Sequence, residues 1–252
     1  MLDLFRLRKH HGNQAIPDVV NSQLMESHRG FPVIDESKHP GSWQSVVDIC
    51  PTGAITGEPL SIDLGKCIFC GECEKSSAGA IKFTSSHKTG TSDRERLIVG
   101  PGESYDTFRE SAIESRREIH KLFGRSLKLR QVSAGGCNGC EMELSACSNV
   151  NFDMGRFGID FVASPRHADG IVLTGPITNN MAPALMDAYR SIGEPKIVIA
   201  VGACAISGGV FSGSDRVNRN FLEEIKVDLY IPGCPPHPLT IINAILEFLG
   251  RA

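Results

Sequence analysis

The 252-residue chain is predicted to be an α/β protein: an open parallel sheet preceded by a smaller α+β segment. Three observations predict this. Its cysteines fall into two groups, a short internal echo runs through the first third, and strand and helix patterns alternate from residue 127 onward. The composition is that of a folded protein. Lys and Arg number 26 against 29 Asp and Glu, for a net charge of -3, with 41% hydrophobic and 22% charged residues. These values exclude a disordered chain and a nucleic-acid binder that works through bulk positive charge. No apolar run approaches the roughly 18 residues of a membrane-spanning helix, and the basic start at residues 1–12 lacks the apolar stretch of a secretory signal. Nine cysteines, at 50, 67, 70, 73, 137, 140, 147, 204 and 234, are the outlying feature. Without an export signal they point to metal ligands or redox groups rather than a disulfide framework.

The echo lies in residues 43–84. Cys50-Pro-Thr-Gly-Ala-Ile55 recurs 26 residues later as Ser76-Ser-Ala-Gly-Ala-Ile81, and Cys67-Ile-Phe-Cys70-Gly-Glu-Cys73 stands between them. This stretch resembles a bacterial two-cluster ferredoxin, whose C-x2-C-x2-C-x3-C-P run sends its fourth cysteine to the other cluster. Cys50, Cys67, Cys70 and Cys73 make one complete ligand set. The other set needs cysteines at 40, 43 and 46 and near 76 or 77, where Pro40, Trp43, Val46, Ser76 and Ser77 stand. All the losses fall on one cluster, so a single [4Fe-4S] cluster is expected, shielded by Ile68 and Phe69. A zinc site or free thiols are the alternative. Zinc favours two pairs of ligands separated by a spacer, whereas a triplet at every third residue wraps corners of a cube.

From residue 127 the texture changes. Strands are expected at 128–132, 159–163, 170–174, 196–201 and 227–231, rich in Val and Ile, with helices at about 141–147, 181–191 and 239–249. Such alternation implies a parallel sheet covered on both faces, with ligands gathering beyond the carboxyl ends of its strands. The remaining cysteines occupy those places. Cys137 and Cys140 follow the first strand, in Gly135-Gly-Cys-Asn-Gly-Cys-Glu-Met-Glu143. Cys204 follows the fourth, in Gly202-Ala-Cys-Ala-Ile-Ser-Gly-Gly209, and Cys234 the fifth, in Pro232-Gly-Cys-Pro-Pro236. Three loops can therefore bring four thiolates to one point. By themselves these positions also suit a zinc tetrathiolate or a C-x2-C redox disulfide.

Gly-Gly-Cys-Asn-Gly-Cys-Glu, Ser164-Pro-Arg-His-Ala-Asp169, Gly-Ala-Cys and Pro-Gly-Cys-Pro-Pro together resemble the small subunit of energy-converting, membrane-associated [NiFe] hydrogenases, formate hydrogenlyase among them. The same family includes the cluster-bearing 20 kDa subunit of complex I. The resemblance covers about residues 126–250 and implies a flavodoxin-like open parallel sheet behind an N-terminal ferredoxin-like α+β 4Fe-4S domain. It implies that Cys137, Cys140, Cys204 and Cys234 hold a proximal [4Fe-4S] cluster, for two [4Fe-4S] clusters in all. It also implies a [NiFe] large subunit as partner, carrying the catalytic metals, with further iron–sulfur and membrane subunits around it. The chain would then transfer electrons on the cytoplasmic face of the inner membrane, held there by its partners. Asn138 and Gly139 separate two cysteines that complex I relatives carry side by side, which favours a hydrogenase; a complex I-like quinone oxidoreductase subunit is the alternative. The corresponding divisions are residues 1–35 as an extension, 36–98 as the ferredoxin-like domain, 99–125 as a helical connector and 126–252 as the small-subunit domain.

Glu141 and Glu143 open the helix after Cys140. They either complement its dipole, at about 0.3–1 kcal/mol each, or transfer protons near the active site, with a pKa raised by cluster charge. Cys147 reads as a buried thiol packed against Leu144. Arg166, His167 and Asp169 form either a solvated turn or a contact with the large subunit. Residues 104–123 read as one amphipathic helix through Phe108, Ile113, Ile119 and Phe123. The basic start, with Arg6, Arg8, Lys9, His10 and His11 beside Leu2, Leu4, Phe5 and Leu7, reads as a disordered or partner-bound end, or as a contact with an anionic membrane or a membrane subunit.

Overall fold

A computed structural model describes residues 2–12, 14–38, 42–114 and 117–251. Its first element is helix α1 (Leu2–His11), which buries no residue and leaves Leu2, Leu4, Phe5 and Leu7 facing solvent. A small module follows, formed by β1 (Pro32–Ile34), α2 (Gln44–Asp48), β2 (Ile55–Gly57), β3 (Leu60–Asp63), α3 (Glu72–Ser76) and β4 (Ile81–Phe83). β1 pairs with β4 and β2 with β3, both antiparallel, and β5 (Ile98–Val99) adds to the other side of β3. β1 thus lies inside the stretch read as an extension. Its partner is some fifty residues away, so nothing local in the sequence marks it.

The echo has a structural counterpart. In the first half the Ala54 N–H donates to Cys50 Sγ at 3.2 Å; in the second the Ile81 N–H donates to Ser77 Oγ at 2.9 Å. The two turns are one position out of step with the echo: Ser77, which follows the Ser76 that stands for Cys50, uses a hydroxyl where Cys50 uses sulfur. Ser77 and Val46 are fully buried, and Trp43 packs against the core. Side chains therefore fill the region where a second ligand set is missing; Pro40 lies outside the described residues.

The stretch 104–123 is interrupted rather than continuous. α4 (Tyr105–Glu110) starts on a capping box between Ser104 and Thr107, and α5 (Arg117–Phe123) ends the segment. Residues 115 and 116 lie outside the described residues. The break has a visible cause. The Glu114 N–H, which a continuous helix would give to the Glu110 carbonyl, goes to Ser92 Oγ at 2.9 Å, and the Ala112 carbonyl accepts from the Ser92 N–H.

The rest of the chain runs β6 (Leu127–Ser133), α6 (Gly139–Cys147), β7 (Ile159–Phe161), β8 (Gly170–Thr174), α7 (Ala182–Arg190), β9 (Ile197–Val201), α8 (Ala203–Ser207), α9 (Asn220–Glu224), β10 (Leu229–Ile231) and α10 (Pro238–Phe248). The five strands form a parallel sheet in the order β10-β9-β8-β6-β7, reversing direction of growth between β6 and β8. This is the flavodoxin-like order. Strand alternation decides which side chain meets which layer. Leu127, Leu129, Val172, Ile199, Val201, Leu229 and Ile231 pack with α6 and α10 on one face. Val132, Ile171, Leu173, Val198 and Ala200 pack on the other, in one continuous core with Phe31, Val46, Leu60, Ile62 and Ile81 of the small module. Each of the Val, Leu, Ile and Phe side chains contributes about 1.5–3 kcal/mol when buried, so module and sheet are joined by shared apolar surface. Thr91 exchanges backbone hydrogen bonds of 2.8 and 2.9 Å with Tyr230, covering the edge of β10.

Two candidate cysteine centres

All nine cysteines are free thiols, and eight of them gather into the two expected quartets. Cys50 follows α2, Cys67 and Cys70 lie in the loop after β3, and Cys73 stands in α3. All four line one small cavity, together with Ile55, Ile62, Ile68 and Phe83. Cys67 and Cys73 are only 8% exposed. Burial, and then the neighbouring thiols, push Cys67 up to about 12 and Cys73 up to about 11. The Phe69 N–H donates to Cys67 Sγ at 3.3 Å, as that of Ala54 does to Cys50. A buried group of thiols that disfavour one another's ionisation, with N–H donors aimed at sulfur, fits cationic iron. Binding would deprotonate the thiols and offset the charge they then carry.

The second quartet stands at the carboxyl ends of the strands, beside the point where strand order reverses. Cys137 follows β6, Cys140 opens α6, Cys204 is in α8 after β9, and Cys234 follows β10. Cys140 is pushed up by burial and by Glu141, Cys204, Cys234 and Cys137. Cys204 rises to about 11 through burial, Cys234 and Cys137. The loops are tied directly: the Gly202 N–H donates to the Ile231 carbonyl and the Ala203 N–H to that of Gly233, both at 2.8 Å. Gly202 must be glycine. Its φ is +88°, and a methyl there would lie 2.5 Å from Cys140 Sγ. Among the described residues no three His, Cys, Asp or Glu side chains close on a single ion. The N-terminal grouping is seen in its shared cavity, and the C-terminal one in how each cysteine's neighbours disfavour its ionisation. The donor set here also fits a thiolate-held cluster, on an open face: Cys137 and Cys234 are exposed. Met142 in α6 and Val210 and Phe211 after α8 are 65, 53 and 43% exposed.

A loop of each quartet borders one cleft. Ile68 and Phe69, from the Cys67–Cys70 loop, and Pro232 to His237, around Cys234, line two sides of one cleft, which His28 and Arg29 also border.

The neighbouring residues differ in part from expectation. Glu141 Oε1 accepts from Ser133 Oγ at 2.5 Å and from Thr174 Oγ1 at 2.6 Å, strapping α6 to the ends of β6 and β8. Burial works to raise its pKa, but these hydrogen bonds outweigh it and the carboxyl lies below its usual value; a raised value was expected. Glu143 is raised, by burial. Cys147 is fully buried in one core with Leu144, and burial pushes its thiol up to about 12. Arg166 and His167 are exposed. Asp169 accepts the Lys128 N–H at 2.7 Å and so works inside the fold. Sequence reading missed two arginines. Arg29 donates to the Phe69 carbonyl at 3.1 Å, and Arg219 donates to the carbonyls of Pro176, Cys204, Ala205 and Ile206. Neither stands near a motif in sequence, so no local signal marked them.

Residues 137–248 match the family described as NADH ubiquinone oxidoreductase, 20 Kd subunit. A protein of Pyrococcus furiosus described as a probable membrane-bound hydrogenase subunit, mbhJ, is 41% identical over 134 residues, 53% of this chain and 80% of that protein. Formate hydrogenlyase subunit 7 of Escherichia coli is 40% identical over 151 residues, 57% of this chain and 56% of its own length. NAD(P)H-quinone oxidoreductase subunit K of a Picosynechococcus species is 50% identical over 109 residues, 43% of this chain and 45% of its own. The chain belongs to the family of the 20 kDa subunit of NADH–ubiquinone oxidoreductase, whose members are oxidoreductase subunits of hydrogenase and complex I-like assemblies.

Proposed function

We propose that this chain is an iron–sulfur electron-transfer subunit of a multisubunit [NiFe] hydrogenase. Cys137, Cys140, Cys204 and Cys234 hold one [4Fe-4S] cluster, and Cys50, Cys67, Cys70 and Cys73, in a ferredoxin-like module, hold another. When bound, such clusters supply one-electron uptake and release. The protein binds the two centres, sets their surroundings and keeps them a fixed distance apart. The observation that carries the reading is the pair of cysteine quartets, each with a loop that borders one cleft. The shared core of module and sheet supports it, because it makes that spacing rigid.

The open quartet, with exposed Met142, Val210 and Phe211 beside it, suits a face covered by a partner large subunit that carries the catalytic metals. Exposed Arg166 and His167 are assigned to the same contact. Among the described residues no helix is long and apolar enough to cross a membrane, so a place at the inner membrane rests on partner subunits. The quinone-reducing reading draws on the 50% identity with subunit K. The C-x2-C spacing around Asn138 and Gly139 favours the hydrogenase.

Anaerobic purification of the native assembly tests both layers. The chain should carry about eight iron and eight acid-labile sulfide, and its large subunit should contain nickel. Half that sulfide and a single paramagnetic centre overturn the two-cluster reading. A nickel-free partner that reduces quinone replaces the hydrogenase with the second reading.

A further inference from the structure

Resting on the two-cluster reading, we propose that Arg219 is the counter-charge of the C-terminal centre, a positioning residue whose fixed cation favours the reduced form of the cluster held by Cys204. Its geometry carries the argument. The guanidinium is partly buried and gives hydrogen bonds to four carbonyls: Pro176 and Cys204 at 3.2 Å from Nη1, and Ala205 and Ile206 at 2.8 Å from Nη2. Three of these are the end carbonyls of α8, the helix that bears Cys204, so the charge is locked against that loop. Carbonyls satisfy the N–H groups but carry no net charge.

Among the described residues Arg219 has no carboxylate within ion-pair distance, whereas its neighbour Arg94 has Asp63 at 2.6 Å. Burial first, and then the charge of Arg94, work against protonated Arg219, while a thiolate at Cys204 works for it. A cation in such a place is expensive unless an anion sits nearby. A cluster bound by four thiolates is that anion, and one more electron strengthens the attraction. Reduction adds one electron to the centre and moves no proton at Arg219, so its effect falls on the potential.

Arg29 is the natural contrast. It lies on the other quartet, donating to Phe69 and packing over Gly71, where a methyl would lie 2.7 Å from Arg29 Nε. It is exposed, so water and salt screen it.

The test is an EPR-monitored redox titration of the full chain with both clusters in place, with the C-terminal signal identified by its loss in Cys234→Ala. Arg219→Gln keeps a hydrogen-bond donor and removes the charge. It should shift that centre toward the oxidised form by about tenfold at a fixed potential, about 59 mV for one electron. Arg219→Lys should restore most of the shift, and the N-terminal signal should not move in either. Arg29→Gln should shift the N-terminal signal instead, by less. Equal shifts in the Lys and Gln variants, no shift in the Gln variant at full iron content, or loss of C-terminal iron in both variants overturns the proposal. A wild-type chain without the iron and sulfide for a C-terminal centre overturns the underlying reading as well, and composition reveals that before any titration.

Discussion

The two cysteine quartets are built from opposite materials. The N-terminal one is closed by its own chain: Cys67 and Cys73 are almost inaccessible, Ile55, Ile62 and Phe83 line the cavity, and the Phe69 and Phe83 rings meet 5.9 Å apart. Its four cysteines lie within residues 50–73, so a short segment brings them together. The C-terminal quartet collects cysteines between 137 and 234 from three strand ends, and two of its thiols are exposed. A site at the end of a parallel sheet has no further layer above it. The lesson is a division of labour. One quartet is enclosed by local folding, and the other stays open. Their arginines follow the reverse pattern, exposed Arg29 on the closed site and partly buried Arg219 on the open one.

The hardest test of this contrast is chemical. A chelator with mild oxidant should strip the isolated chain in two phases, the first removing about half the iron. Cys137→Ala should abolish that fast half and spare the slow one. A single phase, or loss of the slow half from Cys137→Ala, breaks the comparison. Gly202→Ala should act almost as strongly, because its methyl group would lie 2.5 Å from Cys140 Sγ. The expected result is loss of about half the iron with unchanged circular dichroism; full iron content argues that the loop can yield.

The seam between the two regions gives a pH test. His87 is 6% exposed, and its imidazole is lowered to about 4, mainly by burial and then by the charges of His28, Lys88, His237 and Arg109. The unfolded chain takes its proton near 6.5 and the folded one only near 4. Stability is therefore full above pH 6.5 and falls as the pH drops toward 4, by roughly 3 kcal/mol. His87→Gln should flatten that limb in acid-denaturation curves followed at both clusters. If only one cluster responds, the two regions unfold separately. The smallest effect is expected from Phe83→Ala, which uncovers the closed quartet. It should speed the slow chelation phase by about tenfold, and an unchanged rate means that the ring is not the shield.

The sequence by itself determined the parallel sheet, the placement of three cysteine-bearing loops at its strand ends, and the division of eight thiols into two sets. These follow from local patterns: Val- and Ile-rich runs such as Gly170–Thr174, and ligands spaced by their own motif. Only the tertiary structure decided what depends on residues distant in sequence. β1 exists because β4 pairs with it, and residues 104–123 break because Ser92 takes the Glu114 N–H. Glu141 became a strap because Ser133 and Thr174 converge on it, and hydrogen bonds outweigh the burial that would otherwise raise it. Arg219 reaches the Cys204 loop from fifteen residues away. Periodicity records which face of an element is buried, but not which partner a long polar side chain meets; that is set by packing between elements.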